Sequence, residues 1–201
     1  EAGTRAGVDT ARYAYRRDGR EPATMLFVGS FRHLPNHAAL RWFTSEVLPL
    51  IRQRLPEARL VVVGSDPPPA HAFPALEHVE LRGRVEDIRE PLSRYAVFVC
   101  PVLSGSGVRV KLLEAFASGI PVVSTRLGAE GLTARDGEVC LLADDAAGFA
   151  ERVLALLSDP TLASQLAARA RAEVESNWNL AEGTRRLAEG YRAAVWKKRA
   201  L

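Results

Sequence analysis

Short apolar runs alternate with stretches of helical spacing over most of the chain. The runs are rich in Val, Leu and Phe, and they predict strands at 25–29, 59–64, 79–83, 96–102, 121–124 and 139–142. Apolar residues at three- and four-residue spacing predict helices over 36–54, 110–118, 146–157, 160–176 and 181–196, with a brief further helix ending near Ser93. Such alternation is typical of an α/β fold, an open Rossmann-like parallel sheet flanked by helices. Ligands of these sheets bind beyond the carboxyl ends of the strands.

The two ends of the chain lack this alternation. Residues 1–22 are polar and rich in arginine, and we interpret them as a linker. The sheet and its helices are predicted within 23–176, and a separate C-terminal helix within 177–201, with Trp178 and Tyr191 on one face. Because the chain does not begin with Met, we expect the natural protein to be longer.

The segment after the fourth predicted strand combines glycines, cations and the start of a helix. Gly105 and Gly107 form a turn, and the helix begins near Val110. Free backbone N–H groups at such a turn bind anions. Arg109 and Lys111 lie at the N-terminal end of the helix, where the helix dipole makes positive charge unfavourable. Two cations at this end are therefore best explained by an anion that binds between them. We therefore predict a phosphate site with Arg109 and Lys111 as the catalytic cations; a plain strand-to-helix turn is the alternative. The turn residues expected to contact the ligand are Ser106, Gly107 and Val108.

Glu114 is an isolated carboxylate in this otherwise apolar helix. Its neighbours, Leu112, Leu113, Ala115 and Phe116, are all hydrophobic. A carboxylate in such surroundings needs hydrogen-bond partners, because its burial is otherwise costly. The hydroxyls of a ribose would supply them. The alternative is an exposed Glu paired with Lys111, which is worth only about 0.2–0.5 kcal/mol.

Two further loops are expected at the same edge of the sheet. Gly29 and Ser30 follow the first strand, where a glycine permits close approach of a ligand. Arg32 and His33 in the same turn are candidate contacts to a phosphate or an acceptor. Arg84 and Val85 follow the third strand and could present backbone groups to a nucleotide base. Ordinary surface turns are the alternative for both loops.

Composition excludes several classes of protein. The hydrophobic fraction of 47% predicts a packed core, and a net charge of +3 is too small for a nucleic-acid partner. Cys100 and Cys140 lie in apolar runs without metal-ligand spacing, so we expect reduced, buried thiols and no metal. No apolar run approaches the ~20 residues of a membrane span, and no signal peptide opens the chain, so we expect a cytoplasmic protein. The glycine turn lacks the Lys-Ser/Thr of a P-loop.

The motifs together resemble the C-terminal donor-binding domain of a GT-B glycosyltransferase of the retaining family-four (group 1) type. The resemblance covers 24 to about 195. It is strongest over 111–123, and further matches occur at 27–30, 59–64, 83–87 and 128–132. It implies retaining glycosyl transfer from a nucleotide-diphosphate sugar, in polysaccharide or glycoconjugate synthesis, with no cofactor.

The same resemblance assigns roles to single residues and exposes departures from the family pattern. The family carries two glutamates with seven residues between them, and Glu114 matches the second, which meets the donor ribose. The first falls on Ser106, where relatives contact the donor sugar. Relatives also hold the diphosphate with Arg and Lys at positions that are Ser30 and Pro35 here. Arg109 and Lys111 are the replacements that this comparison implies.

A GT-B enzyme binds its acceptor on an N-terminal domain of the same polypeptide, and this chain is predicted to hold one α/β domain. We therefore expect a fragment that binds nucleotide weakly and does not turn over. Its C-terminal helix would cross to the missing domain, and the full-length enzyme could associate peripherally with a membrane. Two alternatives stay open: a sugar-nucleotide epimerase using His33, and a non-catalytic nucleotide-binding module. A nicotinamide dehydrogenase is disfavoured, because the first strand lacks its glycine fingerprint.

Overall fold

A six-stranded parallel sheet organises the computed structural model, which describes residues 7–16, 18–67, 78–133 and 135–199. The strands are β1 Glu21–Val28, β2 Arg59–Val63, β3 Val79–Gly83, β4 Tyr95–Cys100, β5 Val122–Ser124 and β6 Leu141–Leu142. Their order is β3-β2-β1-β4-β5-β6, and every neighbouring pair is parallel. The predicted Rossmann-like α/β sheet is confirmed. Strand order reverses between β1 and β4, so the loops after these two strands diverge and leave a crevice.

Helices cover both faces of the sheet. They are α1 Leu34–Trp42, α2 Leu48–Arg54, α3 Arg89–Arg94, α4 Val110–Ser118, α5 Ala146–Ser158, α6 Pro160–Asn177 and α7 Leu180–Arg199. None of the helices that the structure describes combines the length and the apolar character required to cross a lipid bilayer.

Alternate residues along the strands pack into two separate hydrophobic cores. On β1, Leu26 belongs to a core with Phe116 of α4, whereas Phe27 belongs to a second core with Phe149 of α5. Because successive side chains of a strand point to opposite faces, a strand covered on both sides must be apolar at every position. The continuous run of β2, whose last four residues are all buried, meets this requirement.

One predicted helix is interrupted in the structure. A π-helical segment, Phe43–Val47, separates α1 from α2, and the N–H of Leu48 donates to the carbonyl of Phe43, five residues earlier. Pro49 accounts for the interruption, because proline lacks an N–H and its ring clashes with the carbonyl four residues before it. The predicted single helix over 36–54 was therefore wrong at its centre.

The N-terminal segment packs on the domain over its described part. Val8 is buried and forms a parallel bridge with Asn179. The Arg20 guanidinium donates to the carbonyls of Leu92, Tyr95 and Ser118. Glu21 already belongs to β1, so the strand begins earlier than the predicted boundary. The role of 1–22 as an interdomain linker stays a prediction, and residues 1–6 and 17 lie outside the described ranges.

The two aromatic residues predicted to share one face of the C-terminal helix lie in different environments. Trp178 precedes α7 and is buried in the hydrophobic core that contains the inner face of α4, whereas Tyr191 is 67% exposed. The two aromatic residues therefore do not share a surface. Whether α7 contacts a second domain stays a prediction, and residues 200 and 201 lie outside the described part.

Candidate functional site

A cleft of about 590 Å³ opens between the loops that follow β1 and β4. It lies at the carboxyl edge of the sheet, where the strand order reverses, as expected for a ligand site in this architecture. Six of the predicted site residues line it: Gly29, Ser30, Ser106, Val108, Arg109 and Lys111. His33 also lines it, whereas Arg32 does not. The other four predicted residues, Gly107, Arg84, Val85 and Glu114, are not part of its lining.

The glycine turn is conformationally specific. Gly105 and Gly107 have φ angles of 96° and 94°, in the region that residues with a side chain rarely adopt. The turn wraps around the Arg109 guanidinium, whose Nη1 donates to the carbonyls of Ser106 at 2.7 Å and Gly107 at 3.0 Å. The two glycines thus bend the backbone so that its carbonyls hold Arg109 in the cleft wall.

The second guanidinium nitrogen of Arg109 has no such contact. Nη2 is buried and finds no hydrogen-bond acceptor among the described residues. A side chain at Gly105 would come within 3.5 Å of this nitrogen, which therefore lies directly beneath the turn. Leaving a buried polar donor unpaired costs roughly 1–3 kcal/mol, and more when the group is charged. An acceptor oxygen that reached Nη2 would remove this cost.

Lys111 links the two loops that form the cleft. Its Nζ donates to the carbonyl of Val28 at 2.9 Å and to Asn36 Oδ1 at 3.2 Å, and it lies 5.1 Å from the ring centre of Phe27. An ammonium carries three donors, so these contacts leave one for a ligand. Lys111 directs its charge to the loop after β1 rather than to Glu114, and the sequence did not indicate this bridging role.

Gly29 and Ser30 serve the packing of that loop. A side chain at Gly29 would meet the amide of Asn36 at 2.8 Å, so the space that glycine leaves is filled by Asn36. Asn36 Nδ2 also donates to the carbonyl of Ser30, and the Ser30 hydroxyl accepts from Ser65 Oγ. The absence of a side chain at Gly29 is explained without a ligand.

Glu114 has an intramolecular partner that the sequence did not indicate. The Tyr13 hydroxyl donates to Glu114 Oε1 at 2.9 Å, across 101 residues of sequence. Burial raises the pKa of the half-buried Glu114, and the Tyr13 hydrogen bond partly offsets this by lowering it. Burial and the nearby carboxylate raise the pKa of Tyr13 in turn. One carboxylate oxygen is thus satisfied within the protein.

The loop after β3 lies apart from the cleft lining. Arg84 is exposed. Val85 and Tyr13 both pack against the hydrophobic core that contains the buried residues of α4. Arg89 at the start of α3 donates to the carbonyl of Arg12, the neighbour of Tyr13. The predicted base-contacting loop and the predicted ribose-contacting Glu114 are therefore both close to the N-terminal segment.

A second carboxylate reaches the glycine turn from the loop after β5. The N–H of Gly107, predicted as a free anion donor, donates to Glu130 Oε2 at 3.1 Å. Sequence reasoning missed Glu130, although it lies in the short Gly-Ala-Glu-Gly stretch at 128–131. Within the described ranges, no group of three or more His, Cys, Asp or Glu side chains is placed to hold a metal ion.

A family model described as "Glycosyl transferases group 1" matches residues 22–159 of this sequence. This span includes both loops of the cleft and the whole sheet except Glu21, the first residue of β1. The chain belongs to the group 1 glycosyltransferases. Its resemblance to the C-terminal half of GT-B enzymes is confirmed at the level of family and fold.

This group 1 glycosyltransferase chain is 29% identical over 189 residues to the phosphatidyl-myo-inositol mannosyltransferase of Mycolicibacterium smegmatis, a match covering 87% of this chain and 47% of the relative. The chain spans about half the length of the curated relatives it matches.

Solved structures share the fold of this domain. Sucrose-phosphate synthase from Thermosynechococcus elongatus aligns with a TM-score of 0.71 at 22% identity, over 96% of this chain and 52% of that one. Anabaena HepE in complex with UDP-glucose aligns with a TM-score of 0.70 at 14% identity, over 86% of this chain and 49% of that one.

Proposed function

We propose that this chain is the donor-binding domain of a glycosyltransferase and takes a nucleoside diphosphate sugar in the cleft between the loops after β1 and β4. The observation that carries the proposal is the buried Arg109 Nη2, which lacks an acceptor beneath the glycine turn. A diphosphate supplies the acceptor oxygens that this nitrogen lacks. The UDP-glucose bound to HepE, which has the same fold, supports the choice of ligand.

In this proposal Arg109, Lys111 and the N-terminus of α4 receive the diphosphate. Charge accumulates on the diphosphate as the bond to the sugar breaks, and fixed cations already aimed at that position lower the barrier. The carbonyls of Ser106 and Gly107 hold Arg109 in place before the ligand arrives. Such preorganisation avoids the cost of rearranging the site during the reaction.

Glu114 and the loop after β3 would receive the nucleoside. Glu114 keeps one oxygen on Tyr13 and offers the other to a ribose hydroxyl. Arg84 and Val85 would contact the base through their backbone groups. Gly29, Ser30, Ser106, Gly107 and Val108 complete the proposed donor contacts.

The whole enzyme would transfer the sugar with retained configuration to an acceptor held by an N-terminal domain of the same polypeptide. The present chain alone would then bind donor without turnover. A role in glycoconjugate or polysaccharide synthesis, a cytoplasmic location and peripheral membrane association belong to the same proposal. The M. smegmatis relative is a mannosyltransferase, and a further relative from the same organism is a GDP-mannose-dependent mannosyltransferase, so GDP-mannose is among the first donors to test.

Calorimetric titration of the chain with UDP, GDP, ADP and dTDP tests the proposal. We expect one nucleotide to bind, and Arg109→Gln to weaken its binding at least tenfold, which corresponds to about 1.4 kcal/mol. The matched control is Arg32→Gln, since Arg32 lies in the loop after β1, is 79% exposed and is ion-paired with Asp66. This control should leave the affinity unchanged. If the wild-type chain binds none of the four nucleotides, the donor-domain proposal fails.

A further inference from the structure

The loop after β5 is built against the glycine turn. The Thr125 hydroxyl donates to the carbonyl of Val102 at 2.6 Å and accepts from the N–H of Gly128 at 2.9 Å. Gly131, with a φ of 78°, sits so close to Val108 that a side chain there would meet Val108 Cγ2 at 3.1 Å. Thr125, Gly128 and Ala129 are all buried. The loop is therefore held in one position beside the wall of the cleft.

Glu130 is an exposed acidic residue of this loop. It lies between the buried Ala129 and Gly131, which borders Val108, and its side chain reaches the glycine turn. Its Oε2 accepts from the N–H of Gly107, and among the described residues it has no ion pair with a basic side chain. Oε1 is thus available as a strong acceptor beside Gly107, which follows the cleft-lining Ser106 in the chain.

We propose that the Glu130 carboxylate accepts hydrogen bonds from the hydroxyl groups of the donor sugar. The inference rests on the proposed function, because it requires the diphosphate at Arg109. A hexose is joined directly to that diphosphate, so it must lie against the residues that flank Arg109, and Gly107 is two positions away. Ser106 offers a single hydroxyl there, whereas a carboxylate accepts from two sugar hydroxyls at once and forms the stronger, charge-assisted bonds.

Two other roles for Glu130 predict different behaviour. If Glu130 only holds the glycine turn through Gly107, its loss disturbs the diphosphate and the sugar together. If its carboxylate occupies the place of a phosphate, removing the charge strengthens the binding of the nucleotide diphosphate. If Glu130 instead binds the sugar, its loss weakens the binding of the nucleotide sugar and leaves the affinity for the parent nucleotide unchanged.

The test compares each nucleotide with its sugar conjugate by calorimetry on the 201-residue chain. The probes are UDP with UDP-glucose, GDP with GDP-mannose, ADP with ADP-glucose, and dTDP with dTDP-glucose. The variants are Glu130→Gln, which keeps an oxygen to accept from Gly107, and Glu130→Ala. The matched control is Glu138→Gln, because Glu138 is an exposed glutamate of the same loop region with a single side-chain partner, the Thr133 hydroxyl.

We expect Glu130→Gln to leave the affinity for the nucleotide within twofold and to weaken the nucleotide sugar about tenfold. Glu138→Gln should change neither, and thermal unfolding should show that all three variants fold. An equal loss for both ligands, a gain for the nucleotide, or no change for either overturns the proposal. Failure of the wild type to bind any nucleotide overturns the donor-domain proposal and this inference with it, whereas nucleotide binding without the expected selectivity overturns this inference alone.

Discussion

Arg109 and Glu114, two charged residues near the start of α4, differ in how far the protein satisfies their hydrogen-bonding atoms. Arg109 enters the helix with one guanidinium nitrogen bonded to the glycine turn and the other buried without an acceptor. Glu114, about one turn into the helix, has the Tyr13 hydroxyl on one oxygen. A charge that the protein satisfies internally is stable without a ligand, whereas an unpaired buried donor identifies where ligand charge is needed. The first position therefore supports a phosphate more strongly than the second supports a ribose.

Lys111 stands between these two positions, and its loss should have the largest effect on stability. Lys111→Met keeps an apolar stem of similar length but removes the ammonium, which lies over Phe27 and donates to the Val28 carbonyl and to Asn36 Oδ1. We expect the free energy of unfolding to fall by about 2–3 kcal/mol, since two hydrogen bonds to a charged group are lost. Urea unfolding measures this. Arg41→Met, an exposed cation on α1, should stay within about 0.5 kcal/mol of wild type. A comparably small change for Lys111→Met would show that the two loops do not depend on its bridge.

Gly107→Ala tests the proposed phosphate site by straining only the backbone of the glycine turn. A side chain there meets no atom within 4 Å, so the cost comes from the φ of 94° and should be about 1–2 kcal/mol. Gly183→Ala is the control, because Gly183 lies in α7 with equally open space and a helical backbone, where alanine stabilises by roughly 0.5–1 kcal/mol. Thermal unfolding of the two variants should therefore shift in opposite directions. Shifts of the same sign would contradict the conformational argument.

Tyr13→Phe tests the proposed ribose site at Glu114 and should change stability less than the two preceding substitutions. The ring stays, and the hydroxyl that donates to Glu114 is lost, which should cost about 1 kcal/mol of stability. Because that hydrogen bond lowers the pKa of Glu114 while burial raises it, the variant should show a higher Glu114 pKa than wild type. Carboxyl-carbon NMR of the glutamates as a function of pH measures the shift. Nucleotide affinity should fall less than for Arg109→Gln, and the reverse order would overturn the contrast between the two positions.

Local patterns predicted the parts of the molecule that depend on neighbouring residues. The bounds of α4 agree with the predicted 110–118, because its apolar spacing ends at Gly119, whose φ of 71° closes the helix. The glycine turn before it was likewise visible in the sequence. Tyr13 and Glu130 were missed, since each reaches the site from a distant segment, 101 residues from Glu114 and 23 residues from Gly107. Side-chain contacts of this kind depend on how loops pack on the finished sheet, which no local spacing encodes.

The pH dependence of stability gives the smallest and most specific test of the Glu114 side. Burial raises the pKa of Glu114 above its ordinary value of 4.5, so the folded state binds the proton more tightly than the unfolded chain. The contribution of Glu114 to stability is therefore greatest below pH 4.5 and is lost as the pH rises through the folded pKa. Glu114→Gln removes this ionisation and keeps an oxygen for Tyr13. The free energy of unfolding of this variant, relative to wild type, should accordingly rise between pH 4 and 7 in urea titrations. A difference that is constant with pH would mean that Tyr13 and solvent compensate the buried charge fully, and Glu114 would then lack the unsatisfied character that favours a ribose partner.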